Sequence, residues 1–337
     1  MISRAVDPEL LPGARNAIRV CLAVQPTERV TLISDRACDE IAASLAHEIE
    51  RVGAHYRAFV LEDLAARPLA ALPVAIADDM ECSQVSIFAV HVQTNELTSR
   101  MQMTDIVNRR RMRHAHMVNI NRQIMLEGMR ADYRKVDRLS TAVLGLVSKA
   151  REIRATTPAG SDFRAILNPE YKWLKTSGLI SPDKWGNLPG GEVFTTPDEV
   201  NGTFVIDGVV GDYLCERFGS LEQTPLTVRI CANRLTEAYS ENRELEEAFW
   251  QYTHTDENSD KVGEFAIGTN IELTHVIGHI LQDEKFPGVH IAFGNPYGAH
   301  TGANWYSSTH IDVVGTRFDI WVDGQQIMRD GQFLIAE

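Results

Sequence analysis

Short apolar runs alternate with segments of helical periodicity over roughly the first 150 residues. Helices are predicted at about residues 9–23 and 41–53, and Gly53 supplies a C-terminal stop for the second helix. Strand-like runs occur at VTLIS (30–34), HYRAFVL (55–61), VSIFAVHV (85–92) and HAHMVNI (114–120). Strands that alternate with helices are typical of a mostly parallel sheet with helices on its faces.

The pattern of residues along the sequence changes after about residue 150. Segments such as VNGTFVIDGVVGD and FDIWVDGQQIM place β-prone residues between Gly, Asn and Asp. These turn residues favour short antiparallel strands joined by loops. We therefore predict the α/β class with two domains: an N-terminal α/β domain with a mostly parallel sheet at 1–150, and a C-terminal α+β domain rich in antiparallel strands at 151–337.

The composition is that of a folded, acidic protein. Apolar residues make up 44% of the 337 residues and charged residues 23%, which excludes a disordered chain. The formal net charge of -13 would repel nucleic acids and anionic membranes. The five cysteines include no C-x-x-C pair, and no apolar stretch approaches about 18 residues. We expect a soluble cytoplasmic protein with no nucleic-acid or membrane partner.

Several common catalytic signatures are missing. The sequence has no G-x-x-x-x-G-K-[ST] loop, no complete G-x-G-x-x-G after a strand and no G-x-S-x-G elbow. None of the cysteines stands in a recognisable nucleophile signature. Nucleotide binding and covalent hydrolysis therefore have no support from motifs.

Histidines are concentrated in the second half of the chain. Six of the eleven lie in the segment from His254 to His310. Asp312 follows His310 by two positions, so both side chains would project from the same face of a β-strand. His290 lies on another apolar, strand-like run in the same Gly- and aromatic-rich region. Clustered imidazole and carboxylate groups of this kind indicate a metal site.

Several segments of the second half occur in the order of a known family's motifs: GGEVFTTP (190–197), GEFAIGTN (263–270), GHILQDEKFPGVHIAFGNPYG (278–298) and STHIDVV (308–314). Over roughly residues 150–320 they resemble the aminopeptidase T / aminopeptidase S family of metallopeptidases. The resemblance implies a metal-dependent, aminopeptidase-like hydrolase whose second domain carries the metal ligands Glu192, Glu264, His290, His310 and Asp312. It also implies an active-site tyrosine at Tyr297 and a homodimer.

The five implied ligands suit two divalent cations. Three carboxylates contribute about -3 against about +4 from the ions, and a bridging hydroxide would neutralise the remainder. Oxygen and imidazole ligands without thiolate suit zinc, cobalt or manganese and do not choose among them. In this scheme Glu192 bridges the ions, Glu264 also shuttles a proton to the leaving amine, and Tyr297 stabilises the oxyanion. The substrate would be a short peptide or a small amide.

Two other functions stay open. The sequence also resembles the 2,5-dihydroxypyridine ring-opening dioxygenases, which hold a single iron(II) with two His and one Asp and whose PAGSDF motif is matched at 158–163. That branch lacks the first Glu and has His in place of the second, whereas this chain has Glu192 and Glu264, which favours the hydrolases. The third alternative is a metal-binding interaction module that has lost catalysis.

Further histidines and arginines have structural explanations beside functional ones. His275 and His279 are spaced for one helix face but lack the Glu of H-E-x-x-H. His114 and His116 follow the arginines within 109–113, which would repel a cation. We interpret that arginine run as a solvated or interface surface, with phosphate or carboxylate binding as the alternative.

Two more pairs are candidates for the cleft. Asp162 and Arg164 belong to the GSDFR segment and would either line the cleft or close a turn. Trp305 and Tyr306 are near the predicted ligands in sequence, and they would either pack or contact substrate.

Overall fold

A computed structural model describes residues 6–335, which fall into two compact units. The first unit contains the described residues up to Tyr133 together with Gly178–Gly190. The second contains Arg134–Ser177 and the described residues from Gly191 onward. The segment Gly178–Gly190 thus returns to the first unit between two parts of the second.

The described strands and helices are numbered in chain order. The strands are β1 (Arg29–Ser34), β2 (His55–Val60), β3 (Val85–Val90), β4 (Arg113–Val118), β5 (Glu152–Thr156), β6 (Asp162–Leu167), β7 (Leu174–Thr176), β8 (Gly186–Asn187), β9 (Glu192–Thr195), β10 (Pro197–Ile206), β11 (Leu226–Cys231), β12 (Arg234–Ser240), β13 (Val262–Gly268), β14 (Gly288–Gly294), β15 (His310–Val314), β16 (Asp319–Val322), β17 (Gln325–Arg329) and β18 (Gln332–Phe333). The helices are α1 (Leu11–Asn16), α2 (Asp39–Val52), α3 (Val74–Met80), α4 (Leu97–Arg110), α5 (Arg122–Leu126), α6 (Tyr133–Val147), α7 (Asp212–Phe218), α8 (Arg243–Tyr252), α9 (Ile280–Asp283) and α10 (Gly298–Thr301).

The first unit is built around a parallel sheet with strand order β2-β1-β3-β4-β8. Strands β1 to β4 match the four strand-like runs of the sequence, and α2 matches the predicted helix that stops at Gly53. Gly53 has a φ of 84°, the left-handed conformation that commonly closes a helix. The helix predicted at 9–23 is instead divided into α1 and a π-helical turn, Ala17–Cys21. The mostly parallel N-terminal sheet is confirmed.

The second unit contains two antiparallel sheets. One has eight strands in the order β12-β11-β10-β6-β5-β16-β17-β18, and the other has five in the order β15-β14-β13-β9-β7. Their apolar faces share one core, in which the ring of Phe163 from β6 lies 6.4 Å from that of Phe265 from β13. Burial of such large aromatic side chains stabilises the packing of one sheet on the other. The α+β character predicted for the C-terminal half is confirmed.

Helix α6 explains where the two units divide. The sequence places the domain boundary after residue 150, whereas the compact units divide after Tyr133, the first residue of α6. Leu139, Val143 and Val147 of this helix are buried in the core of the second unit, so α6 belongs with the strands that follow it. Among the residues described, no helix combines the length and the apolar character needed to cross a bilayer.

Candidate metal centre

The five-stranded antiparallel sheet of the second unit carries the five predicted ligands on one of its faces. Glu264 on β13 and Asp312 on β15 are both in register with Ala292 on the intervening strand β14. Residues paired in register project from the same face, as do residues two positions apart on one strand. His290 and His310 therefore share the face of Glu264 and Asp312.

Glu192 joins the same face from β9. It pairs with Gly268, which lies four positions after Glu264 on β13. The other face of these strands carries apolar side chains that belong to the core of the second unit, namely Val193, Phe265, Ile267, Ile291, Phe293, Ile311 and Val313. The period-two alternation of β-strands thus separates a hydrophobic face from a polar, ligand-bearing face.

Small residues adjoin the ligands. Ala266, Gly268, Ala292 and Gly294 occupy positions of the ligand-bearing face beside the carboxylates and imidazoles. A Cβ at Gly268 would clash with the carbonyl oxygen of Phe286, and a Cβ at Gly294 would clash with that of Thr309. Close backbone contacts therefore require glycine at these two positions.

Glu264 lies between the two histidines. Its Oε1 is 3.4 Å from Nε2 of His290, and its Oε2 is 3.9 Å from Nε2 of His310. His290 Nε2 is also 3.5 Å from Oε2 of Glu192, and His310 Nε2 is 3.4 Å from Oδ2 of Asp312. The two oxygens of Glu264 thus face different imidazoles, whereas Glu192 faces only that of His290.

The chemistry of these side chains fits divalent cations. Ligand atoms of Glu192, Glu264 and His290 all lie within 4.8 Å of one another. Nε2 of His290 is buried and has no hydrogen-bond partner, an arrangement that is costly unless an ion or another group satisfies the atom. His310 donates its Nδ1 proton to the carbonyl of Asn295 at 2.9 Å, which leaves Nε2 facing the carboxylates. A divalent cation beside each imidazole would satisfy its Nε2 atom.

The electrostatics also favour positive charge at this face. Burial opposes protonation of His290, but the nearby carboxylates of Glu264, Glu192 and Asp312 raise its pKa to about 9. Burial likewise opposes protonation of His310, whereas the charge of Asp312 raises its pKa to about 10. Burial is the main cause that raises the pKa of Glu264, and the nearby charge of Asp312 adds to it. Clustered carboxylates therefore create a potential that a cation would relieve.

Three residues beside the ligands were not predicted. Lys285 is buried and places its Nζ 2.7 Å from Oε1 of Glu192, and it also contacts Glu284. Thr176 on β7 donates a hydrogen bond of 2.6 Å to the same Glu192 oxygen. The only available signal was a charged Asp-Glu-Lys run inside an otherwise apolar segment at 280–293. Such a run is ordinarily a solvated turn.

Local backbone conformation and hydrogen bonds hold the segments that carry the ligands. Gly191, next to Glu192, has a φ of 131°, and a Cβ there would lie 2.6 Å from Cβ of Asn270. Asp256 accepts hydrogen bonds from the hydroxyls of Ser307 and Ser308 and from the backbone N–H of Ser308. These contacts fix the segment that leads into His310.

Tyr297 lies beside His310. Its ring centroid is 4.5 Å from that of His310, and its side chain is 43% exposed. The residue has a φ of 49°, a conformation that is uncommon outside glycine and is often associated with functional sites. Trp305 packs under the ammonium of Lys261 at 4.2 Å, whereas Tyr306 is 69% exposed.

The remaining histidine candidates have other surroundings. Nδ1 of His275 forms a hydrogen bond with the neighbouring Thr274 hydroxyl, and His279 precedes α9 as its N-cap. His114 and His116 are buried, and their rings form a hydrogen bond of 3.1 Å with each other. Burial lowers the pKa of His114 to about 3, so this pair is neutral at physiological pH.

The surface candidates form ion pairs on strands and loops. Arg154 pairs with Asp162, and Arg164 pairs with Glu152, across the neighbouring strands β5 and β6. This arrangement accounts for both residues as partners in a sheet. Among the arginines within 109–113, contacts to acidic side chains satisfy Arg109, Arg110, Arg111 and Arg113. Arg109, Arg110 and Arg111 are exposed, as a solvated surface requires, whereas Arg113 is mostly buried.

Solved structures share this fold along nearly the whole chain. The 2,5-dihydroxypyridine dioxygenase of Pseudomonas putida KT2440 superposes with a TM-score of 0.70 at 16% identity, covering 99% of each chain. Wild-type AmpT from Thermus thermophilus superposes with a TM-score of 0.68 at 17% identity, covering 97% of this chain and 99% of the other. At these identities the likeness establishes the fold alone.

Sequence comparison identifies the family of the second unit. Comparison with curated proteins gives no match. Residues 133–333 match the thermophilic metalloprotease (M29) family, and that segment contains all five predicted ligands. Since the match extends over more than half of the chain, this protein belongs to the thermophilic metalloprotease (M29) family.

Proposed function

We propose that this protein is a two-metal hydrolase that removes an N-terminal residue from a short peptide or cleaves a small amide. Its family is one of metal-dependent peptidases. The observation that carries the proposal is the position of Glu264, whose two oxygens face His290 and His310. A carboxylate shared by two imidazole-containing ligand groups is well suited to a pair of divalent cations.

The ligands divide into two groups around Glu264. Glu192 and His290 would complete one ion position, and His310 with Asp312 would complete the other. Bound zinc, cobalt or manganese would polarise the scissile carbonyl and lower the pKa of a water molecule. The buried floor of the sheet excludes bulk water from one side, which strengthens the electrostatic interactions of the carboxylates.

Tyr297 and Glu264 are the proposed catalytic residues. The exposed side chain of Tyr297, beside His310, can donate a hydrogen bond to the oxyanion that develops on the substrate. Glu264 is also the proposed proton shuttle to the leaving amine. That second role requires one of its oxygens to be free during proton transfer, so the ligand role has the stronger geometric support.

We also propose that the protein is a homodimer. Metal ligands on loop-flanked strands depend on outer support to keep their geometry, and a partner subunit can supply part of it. Light scattering at micromolar concentration tests this proposal. Detection of only a species near 37.6 kDa, the mass of one chain, would contradict it.

A mononuclear iron(II) dioxygenase is the second candidate. Its support is the similarity of fold to the dihydroxypyridine dioxygenase along 99% of both chains, together with the adjacent His310 and Asp312. Glu192 and Glu264 favour the hydrolase instead, because two further carboxylates suit a more highly charged pair of ions.

Paired substitutions distinguish these functions. In the hydrolase, Glu192→Gln removes a charged ligand, so one ion should bind more weakly and amide hydrolysis should fall by orders of magnitude. In the dioxygenase, Glu192→Gln should leave about one iron per chain and most activity, whereas Asp312→Asn should remove both. Protein purified anaerobically should be assayed with peptides, small amides and dihydroxylated aromatic rings. Wild-type hydrolysis by Glu192→Gln protein would contradict the two-metal hydrolase.

A further inference from the structure

A lysine lies inside the candidate metal centre. Lys285 follows α9, and its backbone is fixed by hydrogen bonds to Gln282 and Asn270. Its side chain is 1% exposed, and its Nζ contacts the carboxylates of Glu192 and Glu284. A buried ammonium needs such partners to offset the loss of hydration. It also places a positive charge directly beside a predicted metal ligand.

The lysine determines how Glu192 can bind an ion. Oε1 of Glu192 accepts from the Lys285 ammonium at 2.7 Å and from the Thr176 hydroxyl at 2.6 Å. These two contacts use the lone pairs of that oxygen. Only Oε2 is directed toward Nε2 of His290. Glu192 is therefore a one-oxygen, terminal ligand, in contrast to Glu264, which offers one oxygen to each ligand group.

The lysine also makes the two ligand groups electrostatically unequal. An ion bound at Oε2 of Glu192 would be separated from the Lys285 ammonium only by the carboxylate that both contact. Two positive charges on opposite oxygens of one carboxylate repel each other strongly where water is excluded. Glu284 also contacts the ammonium, but burial raises its pKa to about 8, so at neutral pH it offsets little of the ammonium charge. In the other group, His310 contacts Glu264 and Asp312. The ammonium of Lys285 contacts Glu192 directly, so its charge acts mainly on the group that contains Glu192.

We propose that Lys285 acts as a built-in cation that makes the ion position at Glu192, Glu264 and His290 the weaker of the two. The position at Glu264, His310 and Asp312 then holds the tightly bound ion. This inference rests on the two-ion centre of the proposed function. It assigns to Lys285 a role in positioning Glu192 and in setting the relative affinities of the two ions.

Manganese titration of the full-length protein tests this proposal. Chelator-treated wild-type protein should bind one Mn²⁺ at least about tenfold more tightly than a second in calorimetry, as expected for outer-ligand effects on metal affinity. Electron paramagnetic resonance should first show an isolated ion and then a spin-coupled pair. In Lys285→Met, loss of the ammonium should tighten the second binding step by about tenfold.

Matched variants separate charge from general packing. Lys175→Met removes a partly buried lysine that is paired with Asp137 in the same unit, and it should leave both steps unchanged. Equal affinities in the wild type, or an unaltered or weakened second step in Lys285→Met, would overturn the proposal. If Lys285→Met does not fold, Lys285→Gln, which is also neutral but can still donate a hydrogen bond to Glu192, takes its place in the same titration. Equal binding with peptidase activity would overturn only this inference, whereas unequal binding without hydrolysis would count only against the proposed function.

Discussion

The Nε2 atom of His290 lies 3.4 Å from Oε1 of Glu264, on the neighbouring strand of the five-stranded sheet. The other oxygen of the same carboxylate faces His310. One side chain therefore connects two ligand groups whose members come from four strands, β9, β13, β14 and β15. Loss of its charge should affect both groups, whereas changes at other ligands should affect one.

Glu264→Gln is expected to weaken the binding of both ions. The substitution keeps the shape of the side chain but removes the negative charge that both ligand groups share. Hydrolysis should fall by orders of magnitude, and elemental analysis should find both ions depleted. Glu192→Gln provides the comparison, because it should deplete mainly one. Full occupancy in Glu264→Gln would show that this carboxylate is not shared.

Tyr297→Phe should reduce turnover without reducing metal content. The substitution deletes the hydroxyl proposed to stabilise the oxyanion, and loss of one such donor lowers kcat by about 10²- to 10³-fold. Because that interaction is made in the transition state, KM should change little. Tyr306→Phe is the control, since Tyr306 is an exposed tyrosine of the same region. Equal kinetics of the two variants would remove Tyr297 from the mechanism.

Gly191→Ala should destabilise the second unit and disturb Glu192. Gly191 has a φ of 131°, and an added Cβ would lie 2.6 Å from Cβ of Asn270. Strain of this kind costs about 1–3 kcal/mol. Gly145→Ala is the matched control, because a Cβ at this helical glycine meets no atom within 4 Å. Urea denaturation should show a loss only for Gly191→Ala, and equal midpoints would contradict the expected strain.

The buried pair His114 and His116 should make stability depend on pH. Burial lowers the pKa of His114 to about 3 and holds that of His116 well below its usual value. Below about pH 6.5 the unfolded chain takes up protons that the folded pair does not, so stability is lost as pH falls from 6.5 toward 3. Each histidine contributes a slope of up to about 1.4 kcal/mol per pH unit.

His116→Gln should reduce this slope. Urea denaturation at pH 6.0 and 4.5 measures the loss of stability in wild type and variant, because above about pH 6.5 the raised pKa values of His290 and His310 act in the opposite direction. Changing the exposed His55 to Gln provides the control. The control should lose as much stability as the wild type between the two conditions. An equal loss in His116→Gln would mean that the buried pair does not carry the effect.

Alternation along the strands explains why much of the centre could be predicted. His310 and Asp312 are separated by one apolar residue, and in the structure both indeed face the ligand-bearing side of β15. The strands of the first unit were recognisable for a different reason: β3, for example, is an uninterrupted buried run, which is typical of a parallel strand covered on both faces. Local periodicity determines which face a residue occupies.

Contacts between distant segments could not be predicted in this way. Lys285 reaches Glu192 because the turn after α9 folds back over the sheet, and no period in the sequence encodes that approach. The approach of Glu264 to both His290 and Glu192 depends on strand order, which places β13 between β9 and β14. Helix α6 has an apolar face, but only tertiary packing assigns that face to the second unit.

Metal content measured together with chelator-sensitive peptidase activity tests the central claim most directly. Protein purified without added metal should contain about two divalent ions per chain, and chelation should abolish hydrolysis of N-terminal peptide or amide substrates. Zinc, cobalt or manganese should restore activity in proportion to the ions bound. Folded protein that hydrolyses these substrates at an undiminished rate after complete removal of its metal would contradict the account.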